Sequence, residues 1–117
     1  RHTIAARYDA AFAELPVTLP WQHPDTHSAF HLYVIRVTDR ARHRDIFEGL
    51  RARGIGVNLH YIPVHLQPYY RQMGFNPGDF PEAEAYYAEA ISLPMFPTLT
   101  DDQQQEVITA VTEEVTA

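Results

Sequence analysis

The segment Phe30 to Val37, Phe-His-Leu-Tyr-Val-Ile-Arg-Val, is aromatic and β-branched, with apolar residues at both parities. A strand with one wet face alternates apolar and polar residues; this one does not, and so it predicts a strand covered on both faces. A chain built around such a strand must supply layers to lie against it. Helical material follows at once. Thr38 and Asp39 can cap a helix whose inner face is Ile46, Phe47 and Leu50, and Gly54 offers the left-handed stop.

The remaining segments supply the other layers. Ile4, Tyr8, Phe12 and Leu15 recur at helical spacing until Pro16 and Pro20 end the pattern, so residues 1 to about 15 read as a helix. Gln22 to Ser28 is polar and holds Pro24, a loop by composition. From Ile55 the period changes to two: Ile55, Val57, Leu59 and Tyr61 point one way, Gly56, Asn58 and His60 the other. Ile62 to Asn76 is broken by prolines and predicts an ordered loop with one helical turn. Asp79-Phe80-Pro81-Glu82 reads as a capping box opening a helix with Ala83, Tyr86, Tyr87, Ala90 and Ile91 on its packed face. Ser92-Leu93-Pro94 reads as a short edge strand, and Thr100 with Gln103 as a second capping box. Val107, Ile108, Val111 and Val115 then form one apolar stripe on the last helix. The expectation is an α+β fold, a small sheet of about three strands packed with helices. At 117 residues and 45% hydrophobic content, residues 1–117 make one domain and leave no room for a second.

Charge and composition exclude several functions. The net charge of −6 comes from 15 acids against 9 bases, and every base is an arginine, which argues against a nucleic-acid surface. With no cysteine, disulfides, thiolate metal sites and thiol nucleophiles are impossible. No apolar run is long enough to span a membrane, and no targeting segment is visible, so a soluble cytoplasmic domain is expected. Arg1 already lies inside a helical pattern, and the chain reads as a fragment lacking its N-terminal part.

Seven histidines raise the question of a metal. His27 and His31 fall at a loop-to-strand junction with no glutamate between them, and His60 and His65 are separated by a Pro63 turn, so neither pair has a standard ligand spacing and no metal site is expected. Ser28 and Ser92 stand in no nucleophile elbow, and the five glycines form no phosphate cradle. Asp101-Asp102 and Glu113-Glu114 fall at helix ends, where solvated charge is the simpler reading. The richest segment is Asn58 to Arg71, which concentrates two imidazoles, three phenols, two amides and a guanidinium. Such groups suit phosphate, hydroxyl and ring contacts; equally, Tyr61, Tyr69 and Tyr70 could be interior or interface aromatics with satisfied hydroxyls.

Four stretches together resemble the small domain of DegT-type sugar aminotransferases: Phe30 to Val37, Leu50-Arg51-Ala52-Arg53-Gly54-Ile55-Gly56-Val57, His60-Tyr61-Ile62-Pro63-Val64-His65, and Ile91-Ser92-Leu93-Pro94-Met95-Phe96-Pro97 with Thr100. The finer pattern Val64 to Tyr70, with Gly74-Phe75 and Gly78-Asp79-Phe80-Pro81, is similar to the transaminases of pseudaminic acid biosynthesis, which make a UDP-linked 4-amino-4,6-dideoxy sugar. The resemblance covers nearly the whole chain.

It implies the C-terminal small domain of a fold-type-I enzyme. Pyridoxal phosphate (PLP) is held by a lysine of a large domain and carries an amino group from glutamate to a 4-keto sugar nucleotide. The chain has no lysine, so it is expected to be inactive alone and to bind no PLP. In such enzymes the small domain covers its own large domain and closes a cleft shared in a homodimer. By position, His60, Tyr61 and His65 are the expected substrate contacts, with Tyr69 and Arg71 as further candidates at the diphosphate or an interface; no residue is given a proton-transfer role. Alternation leaves His60 on the ligand side and Tyr61 on the core side, unless the strand breaks at Pro63 and turns Tyr61 outward. Cut from its large domain, the chain is also expected to expose an aromatic patch that includes the first helix. A stand-alone ligand-binding or interaction module is the alternative reading.

Overall fold

In the computed structural model, which describes residues 1–117, three short strands and five α-helices follow the order α1 (His2–Phe12), β1 (Val17–Thr18), β2 (Tyr33–Val37), α2 (His43–Ala52), α3 (Pro68–Gln72), α4 (Pro81–Glu89), β3 (Ala90–Leu93) and α5 (Asp101–Thr116). The sheet order is β1-β2-β3, both pairings antiparallel, with Val17 opposite Val37, Tyr33 opposite Leu93 and Ile35 opposite Ile91. This is the expected α+β architecture.

The two faces of β2 are unequal. Tyr33, Ile35 and Val37 are fully enclosed, whereas Val34 and Arg36 are half-buried. The enclosed face meets Tyr8 and Phe12 of α1, Leu50 of α2, and Val107 and Val111 of α5 in one core. Burial of each such large side chain stabilises by about 1.5–3 kcal/mol. Two buried phenols also find acceptors: Tyr8 donates to the Pro94 carbonyl and Tyr33 to Asp9 Oδ1, each at 2.6 Å. Burial pushes both phenol pKa values well up, and for Tyr33 the Asp9 carboxylate pushes further.

Capping follows the sequence at α5 and departs from it at α4, and at α2 the cap position falls to Arg42, with Asp39 one 3₁₀ turn earlier. Asp39 accepts from the Ala41 N–H and opens a 3₁₀ turn at Arg40–Arg42 that leads into α2, which ends before Gly54 at φ +80°. Thr100 and Gln103 form the full reciprocal box at α5. At α4 the expected box is absent. Phe80 occupies the cap position, and Asp79 instead turns back to accept from the Asn76 N–H at 2.7 Å. The helix also stops at Glu89, so Ala90 and Ile91 belong to β3 and not to a helical face. Tyr86 is half-buried against the open side of β2, with the Arg36 guanidinium 5.4 Å from its ring centre.

Three further expectations are corrected. β1 is unforeseen, a two-residue strand held to the end of β2. β2 starts at Tyr33 and not at Phe30, which has φ +46°. Residues Ile55 to Tyr61 form no regular strand: Asn58 makes one bridge to Ser92 of β3, and the ladder goes no further. Ile55 and Val57 are buried, as the period implied, but without a ladder beyond Asn58 nothing holds Tyr61 to their side, and its ring is 70% exposed.

Candidate functional site

His60 lies at the end of this broken strand, over a hollow of about 490 Å³ whose wall includes Asn58, Ser92, Phe96 and Glu106. Ser92 is buried on β3, and its hydroxyl sits 2.8 Å from His60 Nδ1. That bond fixes the imidazole from the sheet side and leaves Nε2 available to a ligand. The Tyr61 ring stands edge-on to His60, with centres 4.8 Å apart, and carries its hydroxyl into solvent. Imidazole, amide and carboxylate groups lining one hollow can bind hydroxyls and carbonyls through directed hydrogen bonds.

A different environment holds His65. It is buried, on a 3₁₀ turn at Val64–Leu66, and its Nε2 lies 3.1 Å from Glu84 Oε2. Phe80 meets the ring edge-on at 4.8 Å, and a separate apolar hollow of about 410 Å³ lies between Val64, His65, Tyr70, Phe75 and Phe80. Glu84 is the hub: both its oxygens also accept from the Gly78 N–H, at 2.8 and 3.1 Å. Those backbone bonds, and then His65, hold its carboxyl below the usual range, so the anion is the bonded form.

Of the five residues singled out by sequence, only His60 lines the first hollow, with Tyr61 against its ring. His65 faces Glu84 at the second. Tyr69 and Arg71 project from α3, Tyr69 68% exposed and edge-on to Tyr70 at 5.2 Å. Sequence reasoning missed Ser92 and Glu84 as partners. Ser92 was readable only as part of an edge strand, and its register against Asn58 was the missing step. Glu84 lies two residues past the glutamate that the capping pattern selected. No three histidine or carboxylate side chains gather as a metal site; His27 stacks on His2, with ring centres 4.4 Å apart. The exposed large apolar residues are Trp21, Leu32, a run from Tyr61 to Met73, Phe80 and Phe96, while Ala5, Tyr8 and Phe12 of α1 are buried, so the first helix adds no large apolar side chain to an exposed patch.

The sequence matches the DegT/DnrJ/EryC1/StrS aminotransferase family over residues 1–112. It is 39% identical over 117 residues to the spore coat polysaccharide biosynthesis protein SpsC of Bacillus subtilis, covering 95% of this chain and 30% of SpsC. The fold is similar to that of Spr1654 from Streptococcus pneumoniae, solved in a PLP form, with a TM-score of 0.91 and 29% identity over 98% of this chain and 30% of that one. PseC of Helicobacter pylori, an aminotransferase involved in the biosynthesis of pseudoaminic acid, gives a TM-score of 0.84 and 30% identity over 98% of this chain and 32% of PseC. The chain thus spans about a third of the length of these relatives. These 117 residues contain no lysine with which to hold PLP.

Proposed function

The chain belongs to the DegT/DnrJ/EryC1/StrS aminotransferase family, and from that membership we propose that it is the C-terminal small domain of a cytoplasmic, PLP-dependent aminotransferase. The proposed reaction moves an amino group from glutamate to a UDP-linked 4-keto-6-deoxy sugar. Bound PLP supplies the electron sink for such a transfer. The residues that hold it belong to a large domain against which this chain packs, within a homodimer. The 117 residues are inactive alone, having no side-chain amine to join the cofactor.

This chain's part is to close one side of the sugar-nucleotide cleft. The observation that carries this reading is the fixed imidazole: His60, tied by Ser92 with Nε2 free, beside the outward phenol of Tyr61. Both can orient sugar hydroxyls or the keto group without taking part in proton transfer. The likeness to PseC and the Val64 to Tyr70 pattern support a sugar of the pseudaminic acid branch. In the full-length enzyme, His60→Ala should lower kcat/KM for the sugar nucleotide about tenfold or more, the size of one lost directed hydrogen bond to a polar ligand. Tyr61→Phe should lower it less. Unchanged sugar use in His60→Ala, or a PLP-loaded enzyme that aminates no keto sugar nucleotide, would contradict the reading.

A further inference from the structure

Arg71 is the one arginine whose guanidinium makes no hydrogen bond or ion pair within this chain. The others are engaged: Arg1 on the Phe30 and His31 carbonyls, Arg42 on the Glu114 carbonyl, Arg51 on the Val57 carbonyl, Arg53 on Glu113 and Glu114. Arg36 and Arg40 share Glu89, Arg7 reaches Gln105 and Arg44 pairs with Glu48. Arg71 sits in α3, exposed, on the excursion between His65 and Gly78. A guanidinium offers five donors in a planar fork suited to phosphate oxygens.

What places α3 is not a core. None of the residues from Leu66 to Phe80 is buried, so apolar burial cannot fix the excursion. Glu84 does so instead. His65 enters the excursion and Gly78 leaves it, and both are bonded to the one carboxylate, which stands in the first turn of α4. α4 runs directly into β3, so the excursion is referred through Glu84 to the sheet. The ring contacts of Phe75 with Tyr70 and Phe80 fill the space inside without sealing it.

Resting on the sugar-nucleotide reading above, we propose that His65 and Glu84 are positioning residues: their contact closes the 66–77 excursion and sets Arg71 against a phosphate oxygen of the nucleotide sugar. His65 thereby acts on substrate through the loop and not by touching it.

The test uses the full-length enzyme and two readouts. In hydrogen exchange, Glu84→Ala and His65→Leu should speed exchange of segment 66–77 about tenfold or more while α5 stays protected. In steady-state kinetics, Arg71→Gln should raise KM for the nucleotide sugar about tenfold, and Glu84→Ala should raise it several-fold. The double variant Glu84→Ala/Arg71→Gln should be no worse than Arg71→Gln alone, because the latch acts through that side chain. His65→Gln, which keeps an N–H near the Nε2 position, should restore most of what His65→Leu loses, and this pair makes the comparison if Glu84→Ala does not fold. Multiplying effects in the double variant, an unchanged KM in Arg71→Gln, or no rescue by His65→Gln would overturn the proposal. Unchanged exchange in the latch variants overturns it whatever the substrate, whereas an enzyme that aminates no nucleotide sugar removes both the proposed function and the role of Arg71.

Discussion

Tyr8, Phe12, Tyr33, Ile35 and Leu50 are sealed from solvent, whereas between Val57 and Ala90 only Pro63 and His65 are buried. The first group is held by area removed from water, shared among α1, β2, α2 and α5. The second stretch is held by directed bonds: one carboxylate, the Gly78 N–H, an imidazole and a set of ring edges. The residues proposed to meet substrate lie in or beside the second stretch. A domain can thus keep a rigid sheet as scaffold while its ligand-facing segment is set by a few bonds that substitution can retune.

The comparison breaks most plainly if its two halves respond alike to truncation. Leu50→Ala leaves a hole among fully enclosed side chains and should cost about 3 kcal/mol. Tyr69→Ala removes a larger ring from a 68% exposed position and should change stability by less than about 0.5 kcal/mol. Denaturant unfolding of the two variants checks this. Equal losses would mean that the excursion belongs to the core after all.

The same division explains what could be read from sequence. The stripe of Val107, Ile108, Val111 and Val115 and the pair Ile46 and Leu50 were legible because each lies on one face of a long helix, where period and burial coincide. The chemistry-bearing segment was legible by residue type, since phenols and imidazoles crowd Asn58 to Arg71. Its geometry was not. Alternation from Ile55 fitted Val57 but failed at Tyr61, because side-chain period implies facing only while a ladder continues, and this one ends at Asn58. The Glu84 hub was invisible because its partners include a backbone N–H and a histidine 19 positions away, which no local spacing reports. β1 was missed for a related reason: two residues are too few to show a period.

Glycines sharpen the contrast from a second side. Gly78 has φ +92° with open space where a Cβ would stand. Gly78→Ala meets no clash, yet should cost about 1–2 kcal/mol from the left-handed backbone alone. It should also loosen the excursion, since the strained residue is the one that donates to Glu84. Hydrogen exchange confined to segment 66–77 would show that the cost is local. Uniform loss of protection across α1 and α5 would instead tie the excursion to the core.

Gly49 is the opposite case and the smallest effect. It lies within α2, where alanine is favoured over glycine by about 1 kcal/mol. A Cβ there would run into the carboxylate of Glu114 on α5, but the far end of a flexible side chain can move aside. Moving it disturbs the bond from Arg53 Nε at 3.0 Å, and the same guanidinium keeps its stronger contact to Glu113 at 2.6 Å. A surface ion pair of this kind stabilises little, and one of its two arms survives. Gly49→Ala should therefore be neutral to slightly stabilising, within about 0.5 kcal/mol either way. A loss near 2 kcal/mol in denaturant unfolding would mean that the Glu114 carboxylate cannot swing clear of the new methyl. In that case the core half would be packed more tightly at its rim than its side-chain contacts imply.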